Sequence, residues 1–435
     1  MGASGLAFET WESKDPKELF MQQMNRRFFL RNGALAVAGT TAIPSFLVRS
    51  VMAQTLTAPN RRLVVIFQRG AADGLNIVVP YREKNYYSMR PSIAIPQNQV
   101  LDLDGFFGLH PSLSTFKPLF DQGHLAVVHA VGSPDMSRSH FDAQDYMESG
   151  TPGLKSTQDG WLNRALQSED IRCDCSHTPF RAVALGADVP RTLAGSIPAI
   201  ALSNLNSFAI GGRGPAPSPA ANAFEAMYGD SGDRIFHPAG EETFGAVKML
   251  RAANPGQYTP SAGVNYPNSE FGNNMKQIAQ LLKANLGVEA AFTDVSGWDT
   301  HQNQGSVNGQ LSNRLKDFSD SIGAFWRDLG DGAANVTLVT MSEFGRTARE
   351  NGTGGTDHGH ANAMFVLGGE VKGGKVYGRW PGLDNEQLNE GRDLALTTDY
   401  REVLGEVVSR TLSASNLDLV FPGAGIAPNN FLRLV

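Results

Sequence analysis

From residue 61 onward, short runs that are apolar at nearly every position alternate with longer amphipathic stretches. No other feature narrows the fold as far. The runs are Leu63–Phe67, Leu125–Val131, Arg181–Leu185, Ala199–Leu202, Ala290–Val295, Val336–Met341 and Ala363–Leu367. Such a run, without polar alternation, is what a strand buried on both faces of a parallel sheet requires. Helical stretches fall between the runs: Ser112–Asp121, His140–Ser149, Gly160–Gln167, Asn222–Tyr228, Glu242–Ala253, Glu270–Ala284, Gly309–Leu329 and Thr398–Leu412. The alternation predicts an α/β fold of three layers, a mostly parallel central sheet between helices. Ligands in such folds sit beyond the carboxyl ends of the strands.

The first 53 residues are read as no part of that fold. Residues 1–24 form a polar extension expected to be disordered. Within 25–53, Asn25-Arg26-Arg27-Phe28-Phe29-Leu30 precedes a modest apolar stretch, Gly33–Val48, and Val51-Met52-Ala53 fits a small-residue cleavage site. This pattern resembles a twin-arginine (Tat) signal. The stretch contains Gly, Thr and Pro and is too short and polar for a stable membrane span. The expectation is a periplasmic or exported protein carried by the Tat machinery, with no membrane span in the mature chain. That route moves folded proteins, so a metal can be taken up before export. The remaining length, 61–435, suits one large domain, with a Gly/Pro-rich excursion at about 203–268. The segment Gly369–Asn389 reads as a surface loop or hairpin. A net charge of −6 argues against a nucleic-acid or anionic-membrane binder. Cys173 and Cys175 are the only cysteines, too few for a disulfide framework, and read as two thiols or one small strained disulfide.

Polar clusters follow the apolar runs. Asp73-Gly74 comes after Leu63–Phe67, and on its own is an ordinary turn pair. Trp298-Asp299-Thr300-His301 comes after Ala290–Val295, and in an extended segment Asp299 and His301 point to one side. Ser342-Glu343-Phe344-Gly345-Arg346 follows Val336–Met341, and Asp357-His358-Gly359-His360 precedes the next run. Carboxylates and imidazoles together suit zinc or manganese, and carboxylates alone suit magnesium or calcium. The metal candidates are therefore Asp73, Asp299, His301, Glu343, Asp357, His358 and His360, for one or two divalent ions. Ser139 falls at a predicted helix start, where amides and dipole stabilise an anion; it is a nucleophile candidate and equally a helix cap with Asp142. Ser137 is the alternative hydroxyl. Arg138 and Arg346 are candidate oxyanion binders, and His140 a general acid or a metal ligand.

Four segments carry a resemblance to a known family. They are Ile66-Phe67-Gln68-Arg69-Gly70-Ala71-Ala72-Asp73-Gly74-Leu75-Asn76, Arg138-Ser139-His140-Phe141-Asp142-Ala143-Gln144-Asp145, Gly297-Trp298-Asp299-Thr300-His301, and Glu343-Phe344-Gly345-Arg346-Thr347 with Gly355-Thr356-Asp357-His358-Gly359. From about Leu63 onward the chain resembles the bacterial Tat-exported family called domain of unknown function 1501. That family looks like a distant branch of the alkaline phosphatase and sulfatase superfamily. The resemblance implies an alkaline-phosphatase-like fold, Asp73 as a first-strand metal ligand, Ser139 as nucleophile, Asp299 and His301 as a later ligand pair, and His358 or His360 as the final histidine. Glu343-Phe344 stands where Asp-His is usual, and Asp357 is the candidate to supply the missing ligand. Asp299-Thr300-His301 is also tighter than the usual Asp/His spacing. No Cys/Ser-x-Pro-x-Arg motif occurs, which argues against formylglycine chemistry. Two functions remain in competition. One is metal-assisted hydrolysis of a phosphate or sulfate ester, small or polymeric. The other is a non-catalytic metal- or anion-binding member acting beside another exported protein, and Phe344 in a ligand position favours it.

Overall fold

The computed structural model describes residues 61–170, 177–205, 249–250 and 257–435. The twin-arginine segment, the polar extension, both cysteines and most of the 203–268 excursion lie outside the described residues.

Twelve strands are found among the described residues: β1 (Arg62–Arg69), β2 (Val78–Val79), β3 (Leu101–Asp102), β4 (Gly108–Leu109), β5 (Leu125–Gly132), β6 (Ala182–Leu185), β7 (Ile200–Leu202), β8 (Ala290–Ser296), β9 (Val336–Met341), β10 (Asn362–Gly368), β11 (Lys375–Tyr377) and β12 (Thr398–Asp399). Strands β2, β4 and β3 make a small antiparallel sheet. The others form the central sheet in the order β11-β5-β10-β9-β1-β8-β6-β7, with β12 beside β5. The seven apolar runs are its main strands. Side chains alternate across β1 and feed two cores. Val64 and Ile66 pack with the helices Glu270–Lys283 and Gln310–Leu329. Leu63, Val65 and Phe67 pack with Trp161–Asp170 and Tyr400–Thr411. That is the expected three-layer α/β/α arrangement.

One strand departs from the parallel expectation. β10 runs antiparallel to both its neighbours, β5 and β9, whereas the other pairs of this sheet are parallel. The reversal matters for function. The segment preceding β10 lies at the edge where β9 ends, so Asp357 and His358 meet Glu343 at the carboxyl edge. A parallel β10 would have placed them at the opposite edge. Other departures are smaller. The stretch Ser112–Asp121 breaks into a 3-10 turn, Pro111–Leu113, and a helix, Phe116–Asp121. The Gly369–Asn389 loop contributes the edge strand β11, and the last long helix starts at Tyr400 behind an Asp399 cap. No described helix is long and apolar enough to cross a membrane.

His129 on β5 gives the core a pH dependence. It is fully buried, stacks on Phe107 and makes a 3.0 Å bond from Nε2 to the Val78 carbonyl. Burial pushes its pKa down to about 4. The unfolded chain, near 6.5, takes up the proton first. His129 therefore contributes stability that is complete above about pH 6.5 and lost as pH falls towards 4, on the order of 3 kcal/mol. Urea denaturation of the parent and of His129→Gln across pH 7 to 4 should show a shallower slope in the variant; equal slopes would contradict this account.

Candidate metal centre

Three imidazoles and one carboxylate meet at the carboxyl edge of the sheet. Asp299 and His301 arrive just beyond β8, and His358 comes from the loop between β9 and β10. His140 is the first residue of the helix His140–Ser149, which is held between the Ser139 N-cap and a left-handed Gly150 at φ 72°. The loops approach closely through glycine. A Cβ on Gly355 would lie 2.3 Å from the His301 carbonyl carbon, and one on Gly359 2.3 Å from that of Arg346.

The donor atoms converge. His358 Nε2 lies 3.0 Å from His140 Nε2 and 3.0 Å from His301 Nε2. Asp299 Oδ1 is 3.0 Å from His301 Nε2 and 3.3 Å from His358 Nε2, and its Oδ2 is 3.4 Å from His140 Nε2. His140, Asp299 and His358 form the group of candidate ligands whose donor atoms all lie within 4.8 Å of one another. A tetrahedral ion with nitrogen ligands at about 2.0–2.1 Å would place neighbouring donors about 3.3 Å apart.

Hydrogen bonding on the far side of each ring fixes its tautomer. His358 Nδ1 is 2.8 Å from the Arg138 carbonyl, which only accepts, so this nitrogen carries the proton. His140 Nδ1 donates to Glu343 Oε1 at 2.8 Å, and His301 Nδ1 to Asp357 Oδ1 at 3.0 Å. The three Nε2 atoms are left as lone pairs, that of His358 facing those of both His140 and His301. One proton between His140 and His358 can relieve one contact; it cannot also serve His301. A cation relieves all of them, and a ring whose second nitrogen is held by a carboxylate or carbonyl is the usual form of a metal-binding histidine.

The charges agree with this arrangement. The Glu343 hydrogen bond raises the His140 pKa despite burial. Burial lowers that of His358, and the Arg346 cation lowers it further, against the hydrogen bond to the Arg138 carbonyl. Burial pushes Glu343 upward, but hydrogen bonds from His140, Gln144 and Gly70 hold it below the usual carboxylate range. Asp299 is likewise pushed up by burial and held low by Arg346, His301 and His140. Arg346, itself buried, donates to Asp299 Oδ1 at 2.5 Å and to Thr356. Phe344 forms a wall against the imidazoles of His140 and His358, with ring centroids 5.0 Å away in each case.

The remaining sequence candidates are placed differently. Glu343 and Asp357, expected as ligands, are the acceptors behind His140 and His301. Asp73, expected as a first-strand ligand, is fully buried in a two-point pair with Arg90, at 2.7 and 2.9 Å, and also accepts from Gln304 at 2.7 Å. That guanidinium and amide take up its lone pairs. His360 bonds through Nε2 to the Ser133 carbonyl at 2.9 Å, away from the three converging rings. The Arg138 guanidinium is held by Glu390 and Asp393, at 2.7 Å each, so its contribution to the cluster is a backbone carbonyl. Ser139 caps the helix through a long 3.5 Å bond from the Asp142 amide, and its neighbours on either side both touch the centre. Sequence reasoning missed Gln144, Arg90 and Gln304. Gln144 sits one turn after His140, and that spacing on a helix was the available signal. Glu343→Gln is expected to weaken metal binding roughly 10–100-fold without unfolding the chain. Chelator competition with circular dichroism as control would check it, and unchanged affinity would contradict Glu343's role.

Several solved structures are similar to the chain at low identity. The PsFucS1 sulfatase from Pseudoalteromonas sp. matches at a TM-score of 0.39 and 12% identity, over 90% of this chain and 77% of that one. The C-terminal periplasmic domain of EcEptC from Escherichia coli, in complex with Zn, matches at 0.32 and 10%, over 71% and 72%. The lipoteichoic acid synthase LtaP from Listeria monocytogenes matches at 0.31 and 10%, over 72% and 66%. No curated protein sequence matches the chain. A family model does, over residues 60–416, and the chain therefore belongs to the family described as "Protein of unknown function (DUF1501)".

Proposed function

We propose that the protein holds one divalent transition-metal ion, zinc in first place, on His140, Asp299, His301 and His358, and hydrolyses a phosphate or sulfate ester outside the cytoplasm. The observation that carries this reading is the convergence of three Nε2 lone pairs on one carboxylate. Nitrogen-rich donors favour zinc over magnesium or calcium, which prefer oxygen. When bound, the ion would polarise the ester oxygen and make a neighbouring hydroxyl or water more acidic.

The chain's own groups supply the rest. Glu343, Asp357 and the Arg138 carbonyl keep protons on the Nδ1 atoms and off the Nε2 atoms. Arg346 anchors Asp299 and places a permanent cation behind it. Ser139 lies at the positive end of a ten-residue helix, where developing negative charge is favoured. In this reading its oxygen takes the phosphoryl or sulfuryl group from the ester as the alcohol leaves, and water then releases the group. The twin-arginine segment at Arg26-Arg27 supports delivery by the Tat route.

The second reading is a non-catalytic metal protein that works beside another exported protein. Four protein donors fill a tetrahedral shell as structural zinc sites do, and Phe344 occupies space that a further ligand would need. Metal analysis of the mature protein, with a screen of phosphate and sulfate monoesters against parent and Ser139→Ala, separates the two. Stoichiometric metal with turnover lost in Ser139→Ala supports the hydrolase. Stoichiometric metal without turnover supports the second reading, and absence of metal overturns both.

A further inference from the structure

Four large hydrophobic side chains are left exposed among the described residues: Phe141 at 90%, Leu154 at 54%, Met136 at 41% and Val189 at 39%. Chain adjacency and ion pairs tie all four to the neighbourhood of one helix, His140–Ser149. Phe141 is its second residue, directly after His140. Asp142 pairs with Lys155 at 2.6 Å, which brings Leu154 beside that first turn. Gly153 lies against the Asp135 carboxylate, which draws Met136 to the same rim. Asp145 shares the Phe141 face of the helix, four residues on, and pairs with Arg191 at 2.9 Å, two residues from Val189. The result is an apolar rim studded with ion pairs. Exposed apolar surface gathered in one place and edged by polar groups marks a binding surface, whereas single exposed side chains do not.

We infer that this rim is the subsite for the apolar part of the substrate, so the ester acted on carries an alkyl or aromatic alcohol. The inference rests on the hydrolytic reading above. Its specific support is continuity with the centre. Residue 138 touches His358 through its carbonyl, residue 140 supplies a converging nitrogen, and Met136 and Phe141 flank that same stretch. Phe141 directly follows His140, with Cα atoms about 3.8 Å apart, so the ring stands on the neighbouring helix face, where an alkyl chain of several carbons on a group held at the centre can reach it. A phosphate or sulfate that enters the centre thus leaves its alcohol over the rim. A small polar alcohol would gain nothing there, and the water-exposed Phe141 ring would stay uncovered.

The test uses the zinc-loaded mature protein with two hydrolysis-resistant probes, methylphosphonate and octylphosphonate, the latter below its micelle concentration. Affinities are measured by calorimetry. Burying even two of the seven extra methylenes corresponds to roughly tenfold. Octylphosphonate is expected to bind at least about tenfold more tightly than methylphosphonate, and that ratio to fall to within about threefold in Phe141→Ser. Leu154→Ser, outside the helix, should lower the ratio as well, so a disturbed helix start does not decide the result. Equal affinity of the parent for both probes overturns the apolar subsite and leaves the hydrolase reading standing. No binding of either probe to metal-loaded protein overturns the hydrolase reading and this inference together.

Discussion

Replacing His358 by alanine is expected to strip the protein of its metal. His358 is the hub of the centre, because its Nε2 faces the Nε2 atoms of both His140 and His301 and lies beside Asp299 Oδ1. Loss of a group one shell further out costs roughly 10–100-fold in metal affinity, so loss of this ligand should exceed about 100-fold. Elemental mass spectrometry should find close to one ion per chain in the parent and close to none in His358→Ala. His360→Ala is the informative control. It removes a histidine two residues away that bonds to the Ser133 carbonyl, and it should leave the metal in place. Retention of metal by His358→Ala would show that the converging nitrogens are not the ligands.

The second large effect concerns stability rather than metal. Arg90 and Asp73 are both fully buried, and all the guanidinium nitrogens are bonded. Nη1 and Nη2 reach Asp73, Nη1 also reaches Asn76 Oδ1 at 2.7 Å, and Nη2 and Nε reach the carbonyls of Thr347 and Ala348 at 2.8 and 2.9 Å. The pair thereby ties the end of β1 to the loop after β9. Removing one charge leaves the other buried and uncompensated, a penalty of about 3–5 kcal/mol. Asp73→Asn should therefore lower stability to urea by about that amount while metal content stays near that of the parent. A variant that kept its stability and lost its metal would return Asp73 to the ligand set.

The two predictions also show where the sequence could be read and where it could not. The main strands were legible because runs such as Val336–Met341 are apolar on both faces, and that pattern has few other solutions. The direction of β10 was not. Ala363–Leu367 is apolar whichever way it runs, and only its pairing with β5 and β9 reveals the reversal. Histidines and carboxylates beyond strand ends were visible as a set, but their order within the centre was not. A carboxylate that binds a metal and one that holds the histidine behind it look alike in one dimension. Glu343 and Asp357 bond the Nδ1 atoms of His140 and His301, which gives them the second part in the proposed centre. The pairing of Asp73 was hidden for another reason. Its partner Arg90 lies 17 residues away beyond two short helices, and nothing in the composition of that segment marks it as buried. Phe344 was legible as a departure, and the structure gives it a physical role as the ring that packs against the imidazoles of both His140 and His358.

The wide spacing of the converging nitrogens has a consequence for how the protein is made. His140 and His358 are 218 residues apart, and the third imidazole lies 57 residues before His358. During synthesis the ribosome releases two of the three rings well before the last one exists. An N-terminal fragment, however well it collapses, owns an incomplete set of donors and cannot capture the ion tightly. In the proposed centre an ion therefore could not nucleate folding of the N-terminal part; it could bind tightly only once the chain extends through the loop between β9 and β10. If the proposed centre binds its ion, tight binding would certify that the chain has been made and folded through His358.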